Sequence, residues 1–198
     1  MKKFELTTKS ITNEVGKNLF RIKALIDFGD VKAGELGGYV EKEGNVSQDD
    51  NAWVSGDAEV FGNAKVSDNA KVSDNAKVSG NARVSGDAKV SGRAWVFGNA
   101  RVSGDALISG NAWVSGDARV YDNADYALVQ GFGIKFRCTT FYRGKNEKIM
   151  VNCGCFHGDL EEFRKQVKET RSGKIAKEYL MIADLMEYHF VSEDSGDE

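Results

Sequence analysis

The chain has 198 residues, with 27 basic and 30 acidic side chains, a net charge of −3, three cysteines and no proline. This length suits one domain, or a repeat domain with small appendages. The negative balance argues against a general polyanion binder but leaves room for a local basic stripe. We find no signal region and no apolar segment near the roughly 18 residues of a membrane span. Three cysteines, an odd number, fit a reducing compartment, so we expect a cytoplasmic protein.

Residues 1–50 are predicted to form an N-terminal cap. Apolar residues alternate with Arg21 and Lys23, which predicts a half-buried strand. The stretches 36–40 and 44–47 predict an irregular first coil that covers the open end of a repeat core. Terminal repeats are expected to be atypical for this reason.

Residues 51–122 repeat one hexapeptide, N/D-A-x-V-S/F-G/D, twelve times without a gap and with few exceptions. Ala and Val stand two positions apart and therefore point to one face of a short strand. The Gly/Asp and Asn/Asp pair that follows predicts a turn, because these residues tolerate positive φ. Three hexapeptides per coil would enclose an Ala/Val interior, with coils about 4.8 Å apart. The repeat therefore predicts four regular coils, in a β-helix over 51–128.

The hexapeptide pattern resembles that of the left-handed parallel β-helix proteins, which carry an aliphatic and a small residue at this spacing. The resemblance implies a mainly β, left-handed parallel β-helix. Acyltransferases of this fold use a coil histidine and its carbonic anhydrases hold zinc with three, whereas His157 and His189 both lie outside the coils. We therefore expect no catalytic residue, no cofactor and a non-enzymatic scaffold. A less favoured hypothesis is an acyltransferase-like enzyme that lacks the usual histidine.

Residues 129–190 are predicted to form a small α+β module. Strands at about 134–142 and 148–156 form a hairpin. Asp159 and Glu162 have the spacing of a capping box at the start of one helix, and a second helix follows over 174–190. Residues 191–198 read as an acidic, disordered tail.

A narrower resemblance rests on residues 36–42, 45–47 and 151–158. These segments look like parts of hexapeptide-repeat proteins carried by phages and prophages. The resemblance implies a phage protein in the bacterial cytoplasm. Its partner would be a host defence protein that it blocks or a nucleotide signal that it sequesters.

The residue between Ala and Val recurs in three columns with a spacing of 18 residues. One column holds four cations that are predicted to stand in line over about 14 Å. Like charges at this spacing favour an anionic partner, such as phosphates, an acidic protein surface or the acidic tail. The alternative is that these side chains extend into solvent and keep the sheet soluble. The four cations are Lys65, Arg83, Arg101 and Arg119.

The residues of a second column, together with the residues that directly follow Val, are predicted to form one aromatic face beside Glu59. Exposed aromatic patches mark interfaces, so we expect a homodimer or homotrimer, or packing against the C-terminal helices. An alternative function is a polymer-forming element of a virion or cytoskeleton. The aromatic residues are Phe61, Trp95, Phe97 and Trp113.

The remaining cluster is Cys153, Cys155 and His157, with Cys138 on the preceding strand. Alternation along one strand would place both thiols and the imidazole on one face, a ligand set that zinc accepts. The C-x-C-x-H spacing is not a common zinc motif, and buried cysteines would give the same pattern. We therefore do not favour a metal site.

Overall fold

The computed structural model describes residues 2–190, apart from the side chain of Asn146. The predicted acidic tail, 191–198, lies outside the described residues. The described part is a mainly β, parallel solenoid of about five turns with a small C-terminal module that carries the helices. The predicted parallel β-solenoid is thus confirmed. Within residues 2–190, no helix is both long and apolar enough to cross a membrane.

Three N-terminal strands begin the solenoid: β1 (Phe4–Thr12), β2 (Asn18–Ala24) and β3 (Leu36–Val40). β1 pairs antiparallel with β2, and β2 pairs antiparallel with β3. β3 then runs parallel to the first of the solenoid sheets, and Val46 forms a parallel bridge with Val66. This segment therefore supplies an irregular turn in front of the regular ones.

Twelve two-residue strands build the body, and each of the first nine pairs in parallel with the strand 18 residues further along, as Val54 does with Val72. Three sheets result, and every repeat Ala and the Val or Ile two positions after it, from Ala52 to Val120, is at most 1% exposed. The strands are β4 (Trp53–Val54), β5 (Glu59–Val60), β6 (Lys65–Val66), β7 (Lys71–Val72), β8 (Lys77–Val78), β9 (Arg83–Val84), β10 (Lys89–Val90), β11 (Trp95–Val96), β12 (Arg101–Val102), β13 (Leu107–Ile108), β14 (Trp113–Val114) and β15 (Arg119–Val120).

The corners between strands depend on residues that accept positive φ. Gly86 has φ 64°, and a Cβ at that position would lie 2.8 Å from the backbone nitrogen of Gly104 in the next turn. Asp68 occupies the preceding turn of the same column at φ 58°. Its side chain accepts a hydrogen bond of 2.9 Å from the Gly86 N–H, which compensates for the strained backbone.

The C-terminal module is a four-stranded antiparallel sheet with two helices, rather than a hairpin with two helices. Its strands are β16 (Tyr126–Phe132), β17 (Arg137–Arg143), β18 (Ile149–Cys153) and β19 (Phe156–Asp159). Its helices are α1 (Leu160–Thr170) and α2 (Gly173–Phe190). The predicted capping box is present, because Asp159 and Glu162 exchange backbone and side-chain hydrogen bonds of 2.9 and 3.0 Å.

The first turn of the body is closed by hydrogen-bond donors. Along the stack, the N–H after each repeat Ala donates to the Ala carbonyl of the next turn, as Trp53 does to Ala70. The Ala carbonyls of the first turn therefore need other donors. The ammonium of Lys3 donates to Ala52 at 2.9 Å, and the amide of Asn45 donates to Ala64 at 2.9 Å.

The last turn is closed mainly by hydrogen-bond acceptors. The Leu107 N–H donates to the Asn123 side chain at 2.9 Å, and the Tyr121 N–H donates to Asp125 at 2.9 Å. The C-terminal sheet closes β14, where the Trp113 N–H donates to Thr140 Oγ1 at 3.0 Å. Each sheet of the last turn thus has an N–H group that is bonded by a side chain.

Candidate functional site

The basic face is the outer surface of the sheet β6-β9-β12-β15, defined by Lys65, Arg83, Arg101 and Arg119. The strand register places Lys65 beside Arg83, Arg83 beside Arg101 and Arg101 beside Arg119. The first three are exposed and Arg119 is partly exposed. With strands about 4.8 Å apart, the four Cα atoms span about 14 Å. The structure therefore brings together the four cations that the 18-residue spacing selected.

The four cations differ in their ion pairs from Lys71 and Lys77, two of the three lysines at the same repeat position on the other two sheets. Lys71 pairs with Asp30 of the N-terminal loop, and Lys77 pairs with Glu14 at 3.2 Å and Glu59 at 3.6 Å. Over residues 2–190, no residue of the basic face has a carboxylate within 4.0 Å. The field of the ladder is therefore directed at solvent, where it can attract an anion.

The two ends of the basic face have different surroundings. Beyond Arg119 lies a polar rim in which the Arg119 guanidinium donates to the Tyr121 hydroxyl at 3.3 Å. Next to it, Asp125 accepts from Arg143 Nε at 2.7 Å, so its charge is already paired. The fully exposed part of the ladder is accordingly Lys65 to Arg101.

The aromatic residues do not form the single face predicted from the sequence. Phe61 is buried against Leu19 and Tyr39 of the N-terminal strands, two strands away from Trp95 in the sheet order. The predicted face is wrong in this respect, because the β1-β2 hairpin covers Phe61 and Lys77 lies between the two groups.

The other three aromatic residues form a compact aromatic cluster of Trp95, Phe97 and Trp113. Their ring centroids lie 5.0 to 6.2 Å apart. The Trp95 indole donates to Ser79 Oγ at 2.9 Å, and Trp113 remains 43% exposed. The cluster is pre-formed and partly exposed, as the core of an interface would be.

The cysteines and His157 are divided between the two faces of the C-terminal sheet. Cys153 ends β18 and Cys155 lies in the turn before β19, so the strand does not continue to His157. His157 pairs opposite Asn152, whereas Cys153 pairs opposite Phe156. Directly paired residues share a face, and successive residues alternate. The sequence-based placement of both thiols and the imidazole on one face was therefore wrong.

Among the described residues, no group of three or more His, Cys, Asp or Glu side chains is arranged to hold a metal ion. The unfavoured zinc set of Cys138, Cys153, Cys155 and His157 is thus not assembled. Burial raises the pKa of the Cys138 thiol, opposed by a hydrogen bond with Thr140. A thiol in this setting is a poor nucleophile.

A buried polar network joins the module to the solenoid, and the sequence analysis missed it. Asn152 donates to the Trp113 carbonyl at 2.7 Å, and its oxygen lies 2.7 Å from His157 Nδ1. The Tyr142 hydroxyl lies 3.3 Å from Ser115 Oγ, and burial raises the pKa of Tyr142. The sequence feature that could have predicted this network is the presence of polar residues at alternate strand positions. A core-facing side chain at such a position is expected to be apolar. These contacts give His157 a docking role.

The repeat is the part of the chain that resembles known proteins. Residues 76–92 and 100–116 match the family model described as the YdcK beta solenoid repeat. The chain is a β-solenoid repeat protein. No curated protein matches it. The match covers part of the body, including Arg83 and Arg101, and lies outside the module. A repeat match of this kind reports the fold and assigns no role to the basic face.

Proposed function

We propose that this β-solenoid is a non-enzymatic scaffold that binds an anionic partner along the basic face. The observation that carries the proposal is the in-register ladder of Lys65, Arg83, Arg101 and Arg119, which has no acidic partner over residues 2–190. Neighbouring cations repel one another by about 1 kcal/mol per pair in water. A row of carboxylates or phosphates would offset this repulsion. Its binding would therefore be favoured by the charge of the ladder.

An acidic protein surface is the favoured partner. The chain as a whole carries a net charge of −3, which disfavours long-range attraction of nucleic acid. The ladder is a flat row on a rigid sheet, and rigid rows suit another folded surface because little entropy is lost on binding. In the phage or prophage setting that the terminal motifs suggest, that surface would belong to a host defence protein in the bacterial cytoplasm. A nucleotide signal bound along the ladder is the alternative.

The proposal includes the finer architecture. We infer a left-handed coil of three hexapeptides per turn, and self-association into a dimer or trimer through the aromatic cluster. Side-by-side packing suits a closed oligomer. A polymer-forming element of virion or cytoskeleton type is less favoured, because side chains close the strands of the last turn. An acyltransferase-like activity is also less favoured, because the coils hold no histidine.

The first experiment is native mass spectrometry of the protein taken directly from expressing cells. It reports the oligomeric state and any co-purified partner. The decisive experiment compares two charge-reversed variants that carry the same change in net charge. R83E/R101E alters the basic face, and K9E/K89E alters exposed lysines on β1 and β10.

Binding to poly-L-glutamate at low and physiological salt supplies a defined probe when no partner co-purifies. We expect R83E/R101E to weaken binding by tenfold or more, which corresponds to about 1.4 kcal/mol, and K9E/K89E to retain most of it. An equal loss in both variants would show a net-charge effect and contradict the basic face as the site.

A further inference from the structure

A cavity of about 360 Å³ lies in the C-terminal module and shares no residue with the basic face. It opens between the tip of the β16-β17 hairpin, the β18-β19 turn and the facing ends of α1 and α2. Three aromatic side chains, Phe156, Phe163 and Tyr179, line it together with Val167. Its size and apolar lining are typical of a site for a small organic molecule.

Three cations converge on this cavity: Lys135, Arg137 and Arg171. No Asp or Glu is among the residues that line it. Within the described part of the chain, none of the three makes an ion pair within 4.0 Å. The cavity therefore combines an apolar interior with a positive rim that has no internal counter-charge.

The guanidinium of Arg137 lies against Gly154. A Cβ on Gly154 would lie 2.3 Å from an Nη atom of Arg137, so a larger residue there would displace the end of this side chain. Gly154 also has φ 64°, in the region that favours glycine. The β18-β19 turn thus leaves space that the guanidinium occupies beside the cavity.

Tyr179 lies in the cavity wall together with both arginines. Its hydroxyl donates to the Phe132 carbonyl at 3.3 Å. Burial and the neighbouring Cys153 thiol raise the pKa of Tyr179, and the charges of Arg171 and Arg137 oppose this rise. The two arginines come from different elements, the residue after α1 and the start of β17, and both line the cavity that holds this phenol.

We propose that this cavity binds a nucleoside monophosphate, with the phosphate on Arg137 and Arg171 and the base against the aromatic lining. Guanidinium groups bind phosphate through paired N–H donors, and three cations match a dianion better than a single carboxylate. Aromatic rings stack on the flat face of any base. This site is separate from the basic face, and the inference does not rest on the proposed function.

The test is isothermal titration calorimetry of the full chain with AMP, GMP, CMP and UMP. Adenosine and inorganic phosphate serve as half-ligands. We expect saturable binding of at least one mononucleotide and clearly weaker binding of both half-ligands. R137Q and R171Q should each weaken binding by tenfold or more. K168Q, which removes a charge from an exposed position of α1 outside the cavity, should leave binding unchanged.

Thiol labelling of the wild-type protein locates the bound nucleotide without any substitution. Cys155 is exposed and lines the cavity, whereas Cys138 does not line it. A bound nucleotide should slow alkylation of Cys155, measured by peptide mass spectrometry, and leave Cys138 unaffected. No saturable binding at millimolar nucleotide, or equal binding of inorganic phosphate alone, would overturn the proposal. So would an equal loss in K168Q or equal protection of Cys138.

Discussion

At its first turn the solenoid presents alanine carbonyls that need donors, whereas at its last turn β14 presents both the N–H and the carbonyl of Trp113. The N-terminal end is closed by a charged side chain, because the Lys3 ammonium donates to the carbonyls of Asp49, Asp50 and Ala52 at 2.9 to 3.3 Å. The C-terminal strand β14 is closed by the neutral side chains of Thr140 and Asn152. Side chains bond strand edges at both ends, but the first turn uses the buried ammonium of Lys3, whereas β14 uses neutral side chains.

This difference indicates how a repeat protein stops. The body can be extended by repeating one hexapeptide, since the N–H groups of each turn donate to carbonyls of the next turn. The closing residues must come from segments without the repeat, because the repeat itself only reproduces the open edge. The two ends are thus closed by different residues, and substitutions can test each closure separately.

The largest effect is expected from Asn152→Leu. This change removes the donor to the Trp113 carbonyl and the acceptor beside His157, at a position that is itself buried. We expect the free energy of unfolding to fall by about 2–4 kcal/mol. Urea denaturation measures the loss, and hydrogen exchange of residues 113–115 locates it.

Asn111→Leu is the matched control, because Asn111 is an exposed corner asparagine of the same turn. It should change the stability by no more than about 0.5 kcal/mol. The Asn152→Leu variant should also self-associate as its concentration rises, since a bare β14 edge can pair with another copy. If Asn152→Leu stays monodisperse and as stable as its control, the C-terminal closure has no energetic role.

Lys3→Met tests the other end. The side chain of Lys3 is 2% exposed, and its loss leaves three carbonyls without this donor. The substitution also removes the free-energy cost of burying the Lys3 charge, which offsets part of the effect. We therefore expect the free energy of unfolding to fall by about 1–3 kcal/mol. Hydrogen exchange should rise in the first turn and stay unchanged near β14.

Lys2→Met controls for the loss of one positive charge next to Lys3. Lys2 lies on the surface, where its pair with Glu43 at 2.8 Å is solvent-exposed. A loss in Lys2→Met as large as that in Lys3→Met would assign the effect to surface charge. Faster exchange at both ends in Lys3→Met would contradict independent closure.

The body and its ends also differ in what the sequence can predict. In the body, the fixed 18-residue register places Lys65 beside Arg83 by counting alone, which is why the basic face could be predicted. The same repeat predicts the positive φ angles at Asp68 and Gly86, which both lie at corners between strands. Periodicity therefore predicts both the fold and the column to which each side chain belongs.

Outside the repeat, faces depend on turns that the pattern does not mark. One turn at Gly154 and Cys155 reversed the chain and moved His157 to the face opposite Cys153. Nothing in the sequence marks Lys3 as a buried donor, and only the three-dimensional stack shows its carbonyl partners. Phe61 matched the aromatic column, but a distant hairpin covers it. Such long-range contacts have no local signature in the sequence.

The smallest predicted effect is a pH dependence confined to the N-terminal end. Burial lowers the pKa of Lys3 from 10.5 to about 8, opposed by the nearby charges of Asp50 and Asp49. Between these two values the unfolded chain binds the proton more tightly than the folded chain. Stability contributed by this residue should therefore rise as the pH increases from about 8 to 10.5, and stay level below pH 8.

We expect a gain of about 1 kcal/mol, less than burial alone implies, because three carbonyls favour the ammonium form. The measurement is the difference in unfolding free energy between wild type and Lys3→Met at pH 7.5, 9 and 10.5, since other groups titrate equally in both proteins. A difference that falls over this range would mean that the carbonyl contacts outweigh the burial of the charge. The same difference for Asn152→Leu should stay flat, because the groups that close β14 carry no charge.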